Sequence, residues 1–258
     1  MNPLLQLHQV TMRFGGLRAV GDLDFHISDR EMVGLIGPNG AGKTTVFNII
    51  TGVYRPTSGT ITFDGQPLAG RKANYVAAKG IARTFQNIRL FSSLSVFDNV
   101  RAAMNMRLQH GVRRALLRGR SFRRDEEEIR GRAGELLEIF GLRADADKAA
   151  TSLPYGDQRR LEIVRALATQ PKVLLLDEPA AGMNPTEKVH LMELIRFVQE
   201  KFRIAVLLVE HDMRVVMGVC ERVVVLDYGQ KIAEGTPEAI KSNPKVIEAY
   251  LGKDINDA

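Results

Sequence analysis

Glycines, a lysine and two threonines occur at a spacing suited to phosphate binding in the run Gly37, Pro38, Asn39, Gly40, Ala41, Gly42, Lys43, Thr44 and Thr45. The run stands between two apolar segments, residues 33–36 and 46–50, so the pattern predicts strand, glycine loop and helix. Glycines allow the loop to turn its N–H groups inward, and the helix N-terminus adds partial positive charge. Lys43 is placed to reach the β- and γ-phosphates, and the Thr44 hydroxyl is a hard ligand for Mg²⁺. We therefore predict that this loop binds a magnesium-bound nucleoside triphosphate.

Two carboxylates, Asp177 and Glu178, follow a second apolar run that reads as a strand buried on both faces. Ligands of open α/β sheets bind at the carboxyl ends of the strands. Asp177 is therefore a candidate second ligand for Mg²⁺, and Glu178 is a candidate base for an attacking water. His211 follows another buried strand, residues 204–209, where it could touch the γ-phosphate. The alternatives are a surface carboxylate pair and a structural histidine.

Phe14 lies in a glycine turn between alternating apolar and polar segments. Residues 5–10, 23–27 and 60–63 show this alternation, which predicts half-exposed antiparallel strands. An aromatic ring in such a turn can stack on a planar base or pack into the core. The residues themselves leave these two roles open.

Composition predicts one large α/β domain, because 258 residues and 45% hydrophobic content allow a sizeable core. The single cysteine, Cys220, excludes an internal disulfide, and the N-terminus shows no basic and apolar leader. Apolar runs are short, so we expect a chain that does not itself span a bilayer. These features favour a reducing, cytoplasmic compartment.

Helical spacing extends over residues 95–140, which predicts a helical insertion within the α/β domain. Between Arg107 and Arg132 there are nine arginines and four carboxylates, so most of the net charge of +6 lies in this segment. Such a segment could meet anionic headgroups or nucleic acid, or it could be a solvated helical face. All three alternatives remain open.

The order of these motifs resembles that of the nucleotide-binding subunit of ABC transporters, over essentially the whole chain. The phosphate loop, Gln86 at the end of a predicted strand (residues 81–85), a signature-like segment (residues 153–157), the Asp-Glu strand and His211 follow one another in that family's order. Three segments look more narrowly like the ATPases of bacterial branched-chain amino-acid importers: residues 155–163, 178–185 and 234–237.

This resemblance implies an α/β P-loop NTPase of the ABC ATPase type, with a mainly parallel core sheet, an antiparallel β subdomain and a helical subdomain insertion. The single ABC ATPase domain would comprise a core at about residues 1–90 and 160–258, with a helical signature subdomain at about residues 91–159. The implied cofactors are ATP and Mg²⁺. Catalytic roles fall to Glu178, His211 and Gln86, metal binding to Thr44, Gln86 and Asp177, and adenine stacking to Phe14.

Partners are implied in the same way. Two ATPase subunits, identical or related, would sandwich two ATP molecules head to tail, so that Tyr155, Gly156 and Asp157 of each contact the nucleotide on the other. The dimer would drive two membrane permeases, with the region around Gln86 docked on them, and would act indirectly with a periplasmic binding protein. The ATPase would then sit at the inner face of the cell membrane.

Two positions depart from the family pattern. Pro154 replaces the usual signature serine and offers neither a hydroxyl nor an N–H group, as in the branched-chain group. Asn184 replaces a common aspartate, and its place before Pro185 and three residues before Glu187 predicts a helix-capping box.

The prediction is thus an ATPase subunit that powers an importer, most readily one for branched-chain amino acids. Urea, other amino acids or lipopolysaccharide export are alternative substrates or roles. A nucleic-acid-associated ABC ATPase is less favoured, because such proteins add coiled coils or a second ATPase domain, and no nucleic-acid partner is expected.

Overall fold

The computed structural model describes residues 3–104 and 120–251. The chain divides into two compact units, the first formed by residues 1–86 with 172–258 and the second by residues 87–171. The strands of the described residues are all in the first unit: β1 (Leu5–Phe14), β2 (Leu17–Ile27), β3 (Met32–Ile36), β4 (Ser58–Phe63), β5 (Gln66–Pro67), β6 (Ile81–Arg83), β7 (Val173–Asp177), β8 (Ala205–Val209), β9 (Arg222–Asp227) and β10 (Gln230–Gly235).

The α-helices of the described residues are shared between the units, with α3, α4 and α5 in the second. They are α1 (Lys43–Ile50), α2 (Ala73–Lys79), α3 (Val96–Met104), α4 (Arg120–Ile139), α5 (Tyr155–Ala168), α6 (Pro185–Phe202), α7 (Met213–Val219), α8 (Pro237–Lys241) and α9 (Pro244–Leu251). None of the helices in the described ranges combines the length and the apolar character that crossing a bilayer requires.

The main sheet of the first unit has the order β10-β9-β3-β8-β7-β6, and only the β10–β9 pair is antiparallel. Every residue of β3, β7 and β8 is buried, which explains their apolar sequences without alternation. Asp177 pairs with Val209, and Leu35 pairs with Val209 as well. The carboxyl ends of the three strands therefore lie at the same edge of the sheet. The phosphate loop follows β3 there, Asp177 is the last residue of β7, and His211 comes shortly after β8.

A second sheet, with the order β2-β1-β4-β5, is antiparallel throughout. Leu5 and Leu7 of β1 are buried, whereas Gln6 and His8 are exposed, as the alternating pattern predicts. The alternation ends there, because the pairing with β2 shifts register between Leu7 and Val10, and Val10 is buried as well. Phe14 is the last residue of β1 and pairs with Leu17 across the Gly15-Gly16 turn. This turn places the aromatic ring at the end of a strand.

The predicted strand at residues 81–85 is shorter than expected. It ends at Arg83, and Gln86 follows three residues later, although the Thr84 N–H still donates to Leu175 O at 2.9 Å. The chain leaves the main sheet here because it enters the second unit at Asn87.

Among its described residues, the second unit buries apolar side chains of α3, α4 and α5, including Val100 of α3, Leu137 of α4 and Leu161 of α5. The predicted helical segment 95–140 is helical at both ends, and its middle, residues 105–119, lies outside the described residues. Much of the basic segment Arg107–Arg132 lies there too. Within its described part, Arg132 Nη1 is 3.7 Å from Glu128 Oε1.

Candidate active site

The conformation of the phosphate loop brings backbone atoms so close together that only glycine fits at two positions. Gly37 has φ +148°, and a Cβ atom there would lie 2.0 Å from Leu226 O. Gly42, the N-cap of α1, has φ +99°, and its Cβ would lie 2.6 Å from Ala19 O. Side chains do not fit against backbone at such distances, so this loop conformation requires glycine at both positions. The predicted strand, loop and helix are all present.

A cavity of about 430 Å³ opens beside this loop in the first unit. Its walls include eight of the predicted nucleotide-binding residues together with five others: Phe14, Leu17, Arg18, Ala19, Asn39, Gly40, Ala41, Gly42, Lys43, Thr44, Thr45, Glu178 and Tyr228. Gly37 and Pro38 are not among the lining residues. They contribute carbonyl oxygens that accept hydrogen bonds from Lys43 Nζ at 2.7 and 2.9 Å.

Lys43 is 6% exposed, and these two carbonyl oxygens hold its ammonium group inside the curve of the loop. A phosphate oxygen that enters the loop would meet a cation already in position, together with the N–H groups at the start of α1. The arrangement therefore suits a polyphosphate anion.

Phe14 is 43% exposed, so it is not a core aromatic. Its ring meets the Tyr54 ring edge to face, with centroids 5.2 Å apart and planes at 76°. Tyr228, in the turn between β9 and β10, is 78% exposed and lines the same cavity. The turn is joined to the phosphate loop because Gly229 N donates to Ala41 O at 3.1 Å. Two exposed aromatic side chains therefore stand at the wall where a planar base can stack.

The three predicted catalytic residues meet at one oxygen atom. Gln86 Nε2 donates to Glu178 Oε2 at 2.6 Å, and His211 Nε2 lies 2.8 Å from the same oxygen. Glu178 has φ +46°, an unusual conformation for this residue, and its N–H donates to Val209 O at 2.8 Å. The backbone and two polar side chains thus hold a single carboxylate at the edge of the cavity, as expected for a general base.

Asp177 ends β7 with a side chain that is 8% exposed, and its Oδ2 accepts a hydrogen bond from Arg83 Nη2 at 2.5 Å. In residues 3–104 and 120–251, no group of three or more His, Cys, Asp or Glu side chains could hold a metal. One carboxylate with the Thr44 hydroxyl and the Gln86 amide is a hard oxygen set suited to Mg²⁺ that takes its other ligands from phosphates and water. The donor set therefore fits the predicted metal. Gln86 itself is hydrogen-bonded to Glu178.

The signature-like residues Tyr155, Gly156 and Asp157 form the first turn of α5 in the second unit, after Pro154 at the N-cap. Tyr155 is 46% exposed, and its hydroxyl accepts a hydrogen bond from Arg159 Nη2 at 3.3 Å. Among the described residues, no heavy atom lies within 4 Å of where a Cβ atom at Gly156 would stand. The position is therefore open in the part of the subunit that the structure describes.

The predicted capping box at Asn184 is present. Asn184 Oδ1 accepts from the Glu187 N–H at 3.0 Å, and Glu187 Oε2 accepts from the Asn184 N–H at 2.8 Å, with Pro185 at the first position of α6. Capping therefore accounts for asparagine at this position.

Two residues of this region were missed at the level of sequence. Glu210 is 2% exposed, and its carboxylate accepts N–H groups of Ala180 at 2.6 Å and His211 at 3.1 Å. Burial raises the pKa of Glu210, and these hydrogen bonds oppose that shift only in part. Glu210 thus fixes the backbone beside both Glu178 and His211. The other residue is Arg83, which donates a hydrogen bond to Asp177. A charged residue within the predicted apolar strand at residues 81–85 could have indicated it.

Comparison with known proteins identifies the family. Residues 20–181 match the model described as ABC transporter, and residues 230–255 match the model described as branched-chain amino acid ATP-binding cassette transporter. The high-affinity branched-chain amino acid transport ATP-binding protein LivG of Salmonella typhimurium is 49% identical over 251 residues, which cover 97% of this chain and 98% of LivG.

Solved structures agree with these matches. The ADP conformation of MJ1267, an ATP-binding cassette of an ABC transporter, has a TM-score of 0.84 at 28% identity, with 98% of this chain and 100% of that chain covered. The dimeric post-hydrolysis structure of the ATP-binding cassette MJ0796, bound to ADP and Pi, has a TM-score of 0.74 at 26% identity over 90% of this chain and 98% of that chain. The predicted fold class and the predicted resemblance are both confirmed. The chain belongs to the ABC transporter family and is one of its ATP-hydrolysing cassettes.

Proposed function

We propose that this chain is the ATPase subunit of an importer for branched-chain amino acids. ATP hydrolysis is supported mainly by one observation: Gln86 and His211 both contact the Glu178 carboxylate, which lines the same cavity as the phosphate loop. The similarity to LivG and the match of residues 230–255 support the substrate class.

In the proposed reaction, the phosphate loop and Lys43 hold the β- and γ-phosphates of ATP while Phe14 stacks on adenine. Glu178 accepts a proton from the water that attacks the γ-phosphorus in line, and His211 and Gln86 orient the carboxylate. Thr44, Asp177 and Gln86 are the proposed ligands of Mg²⁺, which when bound neutralises phosphate charge.

We further propose a head-to-tail dimer in which Tyr155, Gly156 and Asp157 contact the nucleotide on the other subunit. The open face at Gly156 and the dimeric form of the related cassette MJ0796 support this arrangement. The proposed single ABC ATPase domain comprises both compact units, with the second as the helical signature subdomain. Two permeases would anchor the dimer at the cytoplasmic face of the membrane and receive substrate from a periplasmic binding protein.

Uptake assays in the source organism test the proposal. Deletion of the gene should abolish high-affinity uptake of labelled leucine, isoleucine and valine, while uptake of labelled urea stays at the wild-type level. Wild-type protein should restore uptake, and the Glu178→Gln variant should not, because an amide cannot accept the proton from water. Normal leucine uptake in the deletion strain would contradict the assigned substrate. Loss of urea uptake instead would identify the alternative.

A further inference from the structure

Arg83 lies almost buried between two elements that carry proposed metal ligands. Its side chain is 9% exposed, and its guanidinium group donates from Nη2 to Asp177 Oδ2 at 2.5 Å and from Nη1 to Asn48 Oδ1 at 2.7 Å. The guanidinium carbon also lies 5.3 Å from the Phe47 ring centroid and 5.1 Å from that of Phe85. Two hydrogen bonds and two aromatic rings thus fix its position.

The two hydrogen-bond acceptors stand close in sequence to proposed ligands. Asn48 is on α1, four residues after Thr44, so the two side chains lie on the same face of the helix one turn apart. Asp177 is itself a proposed ligand at the end of β7, the parallel neighbour of β6, where Arg83 is the last residue. Arg83 therefore connects the helix that bears the Thr44 hydroxyl with the strand that bears the Asp177 carboxylate.

We propose that Arg83 is a positioning residue for the Mg²⁺ site, an inference that rests on the proposed function. It holds the Asp177 carboxylate by one oxygen and sets the spacing between that carboxylate and α1. Arginine suits this task because its planar fork makes two directed hydrogen bonds at once. Lysine would supply charge at a single point without the second bond. Partners in the outer shell of a metal site typically change metal affinity by about 10- to 100-fold when they are removed.

Nucleotide binding, rather than turnover, tests this role. Calorimetry would give the dissociation constant of ATP in EDTA and in saturating Mg²⁺. The constant in EDTA divided by the constant in Mg²⁺ is the ratio that reports the contribution of the metal. In Arg83→Met we expect the constant in EDTA to stay within about twofold of wild type, while the ratio falls by about 10- to 100-fold. The ratio for Arg83→Lys should lie between those of Arg83→Met and the wild-type protein.

Arg222→Met is the matched control. Arg222 is 17% exposed and bridges Glu31 and Glu234, with Nε donating to Glu31 Oε1 at 2.6 Å, so its loss also removes a partly buried arginine network from the first unit. This variant should unfold at a lower temperature and keep the wild-type ratio. Asn48→Leu removes only the hydrogen bond between Arg83 and α1, and the ratio for this variant should fall by several-fold. It provides the test if Arg83→Met does not fold.

An unchanged ratio in Arg83→Met, or in a folded Asn48→Leu, would overturn the positioning role. Equal loss of affinity with and without Mg²⁺ would also overturn it, because it would show a general structural defect. If the ratio is near one in the wild-type protein, and Asp177→Asn does not change it, Mg²⁺ does not contribute to ATP binding. That result would contradict the proposed metal site, which is the part of the proposed function on which this inference rests.

Discussion

The phosphate loop and the signature-like segment each contain a glycine at a helix start, but for different reasons. Gly42 has positive φ, and a side chain there would collide with Ala19 O. Gly156 lies in the first turn of α5, and no atom of the described ranges is within 4 Å of the place where its Cβ would stand. The fold of the subunit thus demands glycine at the first position and not at the second. The proposed dimer predicts that a demand for glycine at position 156 comes from the partner subunit.

The two regions also differ in where their polar groups point. In the first unit, Lys43 is bonded to loop carbonyls, and Gln86 and His211 converge on Glu178. In the second unit, Asp157 Oδ1 is 3.0 Å from Arg160 Nη1 on the same helix. The first arrangement builds a chemical site, whereas the second stabilises a helix and leaves its first turn exposed.

The largest expected effect tests whether the chemistry belongs to the first region. Glu178→Gln should slow ATP hydrolysis by about 10²- to 10⁴-fold, because the amide keeps an acceptor for Gln86 but cannot take a proton from water. ATP affinity measured by calorimetry should stay near wild type. Glu200→Gln, at an exposed position on α6, is the control and should turn over normally. Wild-type turnover in Glu178→Gln would assign the base to another residue.

The second prediction concerns the internal demand for glycine. Gly42→Ala should weaken ATP binding by about 100-fold, or about 2.7 kcal/mol, because alanine is strained at positive φ and its methyl group would displace the backbone. Titration with ATP and thermal unfolding would measure affinity and stability together. If binding and melting temperature both match wild type, the loop has another conformation that tolerates a side chain.

The third prediction applies matched changes to the second region. Gly156→Ala should raise the free energy of unfolding by about 0.5 kcal/mol, because alanine favours the helix and meets nothing. Gly156→Arg should fold and bind ATP as wild type does, yet hydrolyse it at least about tenfold more slowly, because the large side chain blocks the proposed partner surface. Loss of ATP binding by the monomeric Gly156→Arg variant would contradict a contact made across the dimer.

The smallest effect is expected at the proline before this glycine. Pro154→Ser restores the common signature residue at the N-cap of α5, where serine can also cap the helix. We expect turnover to change by less than about tenfold, or about 1.4 kcal/mol, because the neighbouring residues already supply the proposed contact. A steady-state ATPase assay would measure it. A larger gain would mean that proline limits hydrolysis in this subunit.

Several features could be predicted from local pattern because each depends on short-range chemistry. The glycine loop between a buried strand and a helix, the capping box at Asn184 and the buried strand before Asp177 all appear as predicted. The order of motifs along the chain was sufficient to predict the family. The substrate class was predicted from three short segments outside the phosphate loop, and similarity to LivG supports it. The chemistry of the ATPase site itself does not indicate the substrate, because its residues do not contact the transported molecule.

Tertiary structure decided which residues support these motifs. Arg83 and Asn48 are 35 positions apart in sequence, and Arg83 and Asp177 are 94 apart, so no local pattern could indicate that one guanidinium joins all three. Parallel pairing of β6 with β7 brings them together. Likewise, Leu226 O and Ala19 O make Gly37 and Gly42 obligatory through contacts distant in sequence. Sequence alone determined the chemistry of the site, whereas packing between distant segments determined which groups hold that chemistry in place.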